Sequence, residues 1–273
     1  MSRLVSYSSS DSSDEEEHKD TIVSSNEVSV TKREKLPLPA EVAGLFIDRS
    51  VQSKDNPAEH SGRLRSFKHE EGNWATLVYA LYSGCEEDHF ARLQSELFRC
   101  LRPLEFQPME DYHMSLSRTV TLRHHWIEDM REMLRTSFAE QPSSCCEVCG
   151  LAVLSNDEKT RSFLTLTVSC ADDVLESYTS AVDKCFKEYN LPPYYKPPLF
   201  HISIGWCLGD VTNLVSMQTK HRMQDILNTA LSEDEELQYF RVDTVSMKAG
   251  NKLFTFHTSA KRSCEKTSGL GFT

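Results

Sequence analysis

Two short runs hold the residues best suited to chemistry. One is Asp111-Tyr112-His113-Met114-Ser115-Leu116-Ser117 and the other is Leu199-Phe200-His201-Ile202-Ser203-Ile204-Gly205-Trp206. Each places a His-x-Ser tripeptide in a run that alternates polar and apolar side chains. In a strand, successive side chains point to opposite faces. His113, Ser115 and Ser117 therefore share one face against Met114 and Leu116, and His201, Ser203 and Gly205 share one against Ile202, Ile204 and Trp206. If the two strands lie side by side, two imidazoles and two short hydroxyls converge on one groove. A neutral imidazole there takes the proton from an attacking hydroxyl, and an imidazolium gives one to the departing oxygen. Histidine fits both roles because its unperturbed pKa is about 6.5. The serine hydroxyls donate hydrogen bonds to non-bridging phosphate oxygens, where charge builds up in the transition state. The arrangement suits phosphodiester cleavage and requires no metal or other cofactor.

The surrounding elements read as an α+β fold. Trp74 to Tyr82 is rich in aromatic and β-branched residues and is expected to be a strand. Glu86 to Leu101 sets Phe90, Leu93, Leu97 and Leu101 at helical spacing. His125 to Phe138 brings Trp126, Met130, Met133, Leu134 and Phe138 onto one helical face. Glu147 to Leu154 and Ser162 to Ser169 are expected strands joined by a hairpin turn at Ser155 to Thr160. Asp172 to Tyr189 is again helical, and Leu191 to Pro198 is a proline-rich loop leading into a strand at Phe200 to Cys207. A helix is expected from Val211 to about Leu231, then strands at Gln238 to Met247 and Leu253 to Thr258 around a Lys-Ala-Gly-Asn turn. Interspersed helices and at least one hairpin indicate antiparallel sheet.

Charge is unevenly spread over the 273 residues, whose formal net charge is −11. Residues 1–31 carry seven acids and two bases, a net −5, which leaves −6 for the rest. This Ser-rich segment has no hydrophobic periodicity and too little apolar area to offset its ordering entropy. Residues 1–35 are therefore expected to be a disordered, solubilising tail, residues 36–260 the folded domain, and 261–273 a flexible C-terminal tail. No run of about 18 apolar residues suggests a membrane span. The start of the chain lacks the apolar core of an export signal. Nine cysteines are too sparse for a disulfide scaffold and point to reduced thiols. The acidic balance argues against a protein that grips nucleic acid through a broad basic surface.

The paired motifs give the sequence its resemblance to the two-histidine phosphodiesterase superfamily. Within it, the chain is most similar to the enzymes that process the 3′ end of U6 small nuclear RNA. Leu36-Pro37-Leu38-Pro39, Arg63-Leu64-Arg65-Ser66-Phe67, Gly72-Asn73-Trp74-Ala75-Thr76, His113-Met114-Ser115-Leu116-Ser117-Arg118 and Phe200-His201-Ile202-Ser203 carry the likeness. The resemblance implies a bilobal, pseudo-symmetric α+β fold whose lobes each supply one His-x-Ser strand to a central cleft. It also implies a metal-independent 3′ to 5′ exoribonuclease that trims uridines and some adenosines by 2′-hydroxyl attack and leaves a 2′,3′-cyclic phosphate. By position, His113 and His201 match the catalytic pair, and Ser115 and Ser203 the phosphate-binding hydroxyls. Tyr195, Leu199 and Phe200 match the substrate-contacting positions, Tyr195 as an aromatic that stacks on a nucleobase. The implied partner is the oligouridine 3′ end of RNA, and a monomer in the nucleus is expected. Sibling chemistries remain open on the same site: opening of small cyclic phosphates, cleavage of 2′,5′-linked oligonucleotides, or RNA binding without catalysis.

Other groups with chemical potential carry less. Cys146-Glu147-Val148-Cys149 has metal or redox spacing but no second pair nearby in sequence to complete a tetrahedral site. Adjacent His124 and His125 diverge by about 100° on a helix and do not form a paired site. Arg63, Arg65, Lys68 and His69 make a compact basic cluster, read either as a contact to the RNA backbone or as a solvated loop.

Overall fold

The computed structural model describes residues 72–82 and 87–259. The two expected tails, the basic cluster at 63–69 and the resemblance stretches before Gly72 lie outside the described residues.

Ten strands form one sheet: β1 Asn73–Leu81, β2 Gln107–Pro108, β3 His113–Ser115, β4 Val120–Arg123, β5 Ser144–Ser155, β6 Arg161–Cys170, β7 His201–Leu208, β8 Tyr239–Val242, β9 Thr244–Ala249 and β10 Lys252–His257. The main order is β10-β9-β1-β3-β7-β6-β5-β8, with β4 pairing β1 and β2 pairing β7. Every strand pairing is antiparallel. The first half of the chain supplies β1 and β3, the second supplies β7 and β6, and the two halves meet where β3 pairs β7. The α+β expectation holds, and the two His-x-Ser strands are neighbours at the centre of the sheet.

The helices are α1 Glu87–Cys100, α2 Ile127–Ala139, α3 Val174–Lys187, α4 Met217–Glu233 and the short α5 Glu235–Gln238. Helix α1 buries Phe90, Leu93 and Leu97, the stripe anticipated from the spacing. It is tied beneath β7, where Gln94 Nε2 donates to the Ile204 carbonyl at 2.6 Å. Helix α2 buries Ile127, Met130, Leu134 and Phe138. Phe138 stacks on Phe256 of β10 and meets Tyr178 of α3 edge-on, so strand and helices share one core. Fully burying one such aromatic side chain contributes about 1.5–3 kcal/mol. The β5–β6 turn is held by Asn156, whose Oδ1 accepts from the amides of Thr160 and Arg161 at 2.9 Å each. Asn suits this position because its short side chain bonds backbone a few residues on.

Two expected elements differ. The single strand read from Gln238 to Met247 is two strands at opposite ends of the sheet, β8 on β5 and β9 on β1. Asp243 breaks it, and its carbonyl accepts from the Thr258 amide at 2.9 Å and the Thr258 hydroxyl at 3.1 Å. Apolar residues on both sides of Asp243 make the run look continuous. The helix expected from Val211 begins at Met217 instead. Ser216 caps it, accepting from the Thr219 amide at 3.1 Å, while Asp210 folds the preceding segment by accepting from Thr212.

Candidate active site

The β3–β7 register aligns Met114 with Ile202. Continuing that antiparallel register puts His113 opposite Ser203 and Ser115 opposite His201. Leu81 and Tyr79 of β1 flank His113 and Ser115, while Thr165 and Thr167 of β6 flank Ser203 and His201. Two rungs thus cross four strands, Leu81-His113-Ser203-Thr165 and Tyr79-Ser115-His201-Thr167. Met114 and Ile202 are fully buried beneath them, so the core fixes which way the histidines point.

Each imidazole is held from behind. His201 Nδ1 lies 2.8 Å from the Leu199 carbonyl. A carbonyl only accepts, so Nδ1 carries the proton and Nε2 is left toward the groove. His113 likewise hydrogen-bonds the Asp111 backbone and sits 5.0 Å from the Tyr79 ring centre. Burial pushes the pKa of both histidines below the ordinary value. At His113 the Asp111 carboxylate and the backbone bond oppose burial, whereas His201 and Lys248 add to its effect. At His201 only the Leu199 bond opposes it. Neither the Ser115 nor the Ser203 hydroxyl hydrogen-bonds another described residue, which leaves both able to donate to a ligand.

The face assignment changes toward the ends of both strands. Ser117 does not join the groove. It is buried, and its Oγ accepts from the Val78 amide at 2.9 Å. On β7 the pairing with β6 shifts between Leu164 and Thr165, where Ser203 faces Thr165 but Gly205 faces Leu164. This bulge leaves Ile204 buried as expected and reverses the alternation beyond it. Gly205 turns to the core, where a Cβ would stand 2.4 Å from the Phe98 ring. Trp206 turns to the groove side and pairs with Phe163 and Gln107.

The other anticipated contacts divide. Tyr195 and Leu199 are 41% and 44% exposed, and Leu199 is two residues before His201, whose ring its carbonyl holds. The Phe200 ring is not brought to the groove. It is buried and stacked on Tyr194, with 5.7 Å between ring centres. Tyr194 itself is a core residue whose hydroxyl donates to the Ser115 carbonyl. Arg118 received no role from its spacing, yet its guanidinium lies 3.8 Å from the Tyr195 ring centre. It also pairs with Asp157 of the β5–β6 turn at 3.0 Å and donates to the Pro193 carbonyl at 3.1 Å. An arginine after a strand has no sequence signature, and Asp157 lies far along the chain. Cys146 and Cys149 diverge, the first buried opposite Cys170 and the second exposed beside Thr167.

A family model described as HVSL, an uncharacterised conserved protein, matches residues 36–257. The U6 snRNA phosphodiesterase 1 of Danio rerio is 37% identical over 225 residues, covering 81% of this chain and 80% of that protein. The chain belongs to this phosphodiesterase family. Its Homo sapiens member is 32% identical over 265 residues, covering 92% of this chain and 97% of that protein. The solved structure of Kluyveromyces marxianus Usb1 covers 69% of this chain and 99% of its own, at 14% identity and a TM-score of 0.45. Within the family's matched span lie both His-x-Ser strands, the Arg118–Asp157–Tyr195 cluster and the bulge at Gly205.

Proposed function

We propose that this protein is a nuclear 3′ to 5′ exoribonuclease that trims the uridine and adenosine tail of U6 small nuclear RNA and acts as a monomer. The observation that carries the reading is the register of β3 against β7, which sets each histidine opposite the other motif's serine. Relatives named U6 snRNA phosphodiesterase 1 support the substrate.

In this reading His113 and His201 are the catalytic pair. One neutral imidazole takes the proton from the ribose 2′-hydroxyl, O2′ attacks the adjacent phosphorus, and the P–O5′ bond breaks. The partner imidazolium delivers its proton to O5′, and the retained RNA ends in a 2′,3′-cyclic phosphate. Such proton transfers contribute about 10²–10⁴-fold each. Ser115 and Ser203 hydrogen-bond the non-bridging oxygens as charge builds on them. The two imidazoles supply both proton transfers, so the scheme needs no metal. Arg118 packs over the Tyr195 ring, a nucleobase stacks on the exposed part of that ring, and Leu199 is a further substrate contact in this reading.

Mass analysis of products from a defined oligouridine tests this directly. Stepwise loss of 3′ nucleotides, with a retained end lighter by one water than a 3′-phosphate, is expected and should persist in EDTA. An oligouridine whose penultimate sugar lacks the 2′-hydroxyl should resist cleavage, and efficient cleavage of it would sink the mechanism. Faster turnover of 2′,5′-linked or small cyclic substrates would reassign the chemistry within the superfamily.

A further inference from the structure

The catalytic rung continues past Tyr79. On the far side of β1, Tyr79 pairs with Ser246 of β9, and Ser246 pairs in turn with Thr255 of β10. One row therefore crosses six strands as Thr255-Ser246-Tyr79-Ser115-His201-Thr167. Val78, Ala80, Val245, Met247 and Phe256, which alternate with members of the row, are buried in the core. Tyr79, Ser246 and Thr255 consequently turn to the same side as the two histidines. Lys248 follows Ser246 by two residues on that face, a position diagonal to Tyr79 and within reach of a long side chain. It is exposed, and its ammonium is close enough to His113 for the charge to act on that ring.

This extension of the row consists of donors with nothing to donate to. The hydroxyls of Tyr79, Ser246 and Thr255 bond no other described residue, and Lys248 pairs with no described carboxylate. Burial and the Asp111 carboxylate push the Tyr79 phenol above its ordinary pKa, so it keeps its proton and can donate. At Ser246, only 5% exposed, an unpaired hydroxyl carries a desolvation cost that a ligand oxygen offsets. A phosphate offers several acceptor oxygens together with negative charge, which hydroxyls grouped around an ammonium match. Each strand-to-strand step is about 4.8 Å, so the donor set begins one step from Ser115, which meets the scissile phosphate in the reading above.

We propose that Tyr79, Ser246 and Lys248 form a second phosphate site, which holds the phosphodiester immediately 5′ of the scissile one. The proposal rests on the exoribonuclease reading. There the departing nucleotide ends in a free 3′-hydroxyl, so any second phosphate belongs to the retained strand. Two phosphates gripped at once fix which linkage lies between the imidazoles, and the Lys248 charge supplies affinity that a substrate with one phosphate cannot use.

The test compares uridylyl-uridine, which has only the scissile phosphate, with its 5′-phosphorylated form, which adds one on the 5′ side of the penultimate sugar. In the parent enzyme the added phosphate should raise kcat/KM about tenfold, the strength of a hydrogen bond to a charged group. That advantage should shrink to about twofold or less in Lys248→Gln. Tyr79→Phe, which keeps the ring beside His113, should lose part of it. Each variant is compared with itself on two substrates, so a general loss of activity cancels. Calorimetry with the same pair of ligands carrying a 2′-deoxy penultimate sugar gives the binding ratio without turnover. The phosphorylated ligand should show a salt dependence steeper by about 0.7 in logarithmic slope, the increment for one phosphate of a single strand. Equal affinity for the two ligands in the parent, or an advantage that survives in Lys248→Gln, would overturn the site. Phosphate-dependent binding that is lost in Lys248→Gln, with no cleavage of either ribonucleotide, would retain the site and count against the exoribonuclease reading instead.

Discussion

The Arg118 guanidinium stacks on Tyr195 with 3.8 Å between its carbon and the ring centre, joining the segment after the first His-x-Ser strand to the loop before the second. Asp157 completes the junction by pairing with Arg118 at 3.0 Å and approaching the Tyr195 hydroxyl at 3.5 Å. Three segments distant in sequence thereby set the orientation of one exposed ring. Arg118 and Asp157 thus hold the Tyr195 ring from outside its own proline-rich loop.

Replacing Arg118 by Ala should therefore act on binding more than on folding. The ion pair is largely exposed, and such pairs contribute at most about 1 kcal/mol. An exposed cation–π contact adds about 0.5–1 kcal/mol. Thermal unfolding should shift by only a few degrees, while KM for oligouridine rises about five- to tenfold with little change in kcat. Steady-state kinetics beside a melting curve separate the two effects. A loss confined to kcat would show that Arg118 acts on the reacting groups instead.

His113→Ala and His201→Ala should each lower kcat by about 10²–10⁴-fold, the usual range for a positioned acid or base. Both rings border the groove rather than fill the core, so circular dichroism should remain that of the parent. Tyr195→Ala should instead mainly raise KM, by an amount consistent with about 1–3 kcal/mol for a stacked base. A histidine variant retaining more than a tenth of the parent rate would remove that residue from the proton-transfer scheme.

Burial lowers the pKa of both His113 and His201 in the fold. As pH falls through the ordinary histidine range near about 6.5, the unfolded chain takes up protons that the folded chain resists. Stability contributed by the neutral rings is thus complete above that range and is lost progressively as the medium becomes more acidic. Melting temperatures measured between pH 8 and pH 5 should fall, and the double variant His113→Gln/His201→Gln should show a shallower fall. The acid limb of kcat/KM should likewise lie below the ordinary histidine value. An identical pH slope in the double variant would assign the acid sensitivity to other groups.

Gly205→Ala should be destabilising because the added methyl meets the Phe98 ring at 2.4 Å. Overpacking of this kind costs about 1–3 kcal/mol when the neighbour cannot move. Phe98→Leu in the same chain should recover part of the loss, and denaturant titration of the single and double variants measures the coupling. Additive effects would show that the two positions do not press on one another.

The sequence by itself determined the reactive groups and the elements that carry them. His-x-Ser alternation in Asp111 to Ser117 and Phe200 to Cys207 is a local property of strands, and the apolar stripes of α1, α2 and α3 are local properties of helices. The alternation survives from His113 to Ser115 and from His201 to Ser203, and the helical stripes survive whole, because burial of Met114, Ile202, Leu97, Phe138 and Phe186 enforces the same periodicity. Tertiary structure decided what depends on pairing between distant segments. It set β3 against β7, split the run around Asp243 between opposite ends of the sheet, and turned Ser117 inward to satisfy the Val78 amide. It also inserted the bulge that exchanges Gly205 and Trp206 between faces. No single strand reveals such an exchange, because a bulge is a mismatch of register between two strands and the alternation of one strand contains no record of its partner.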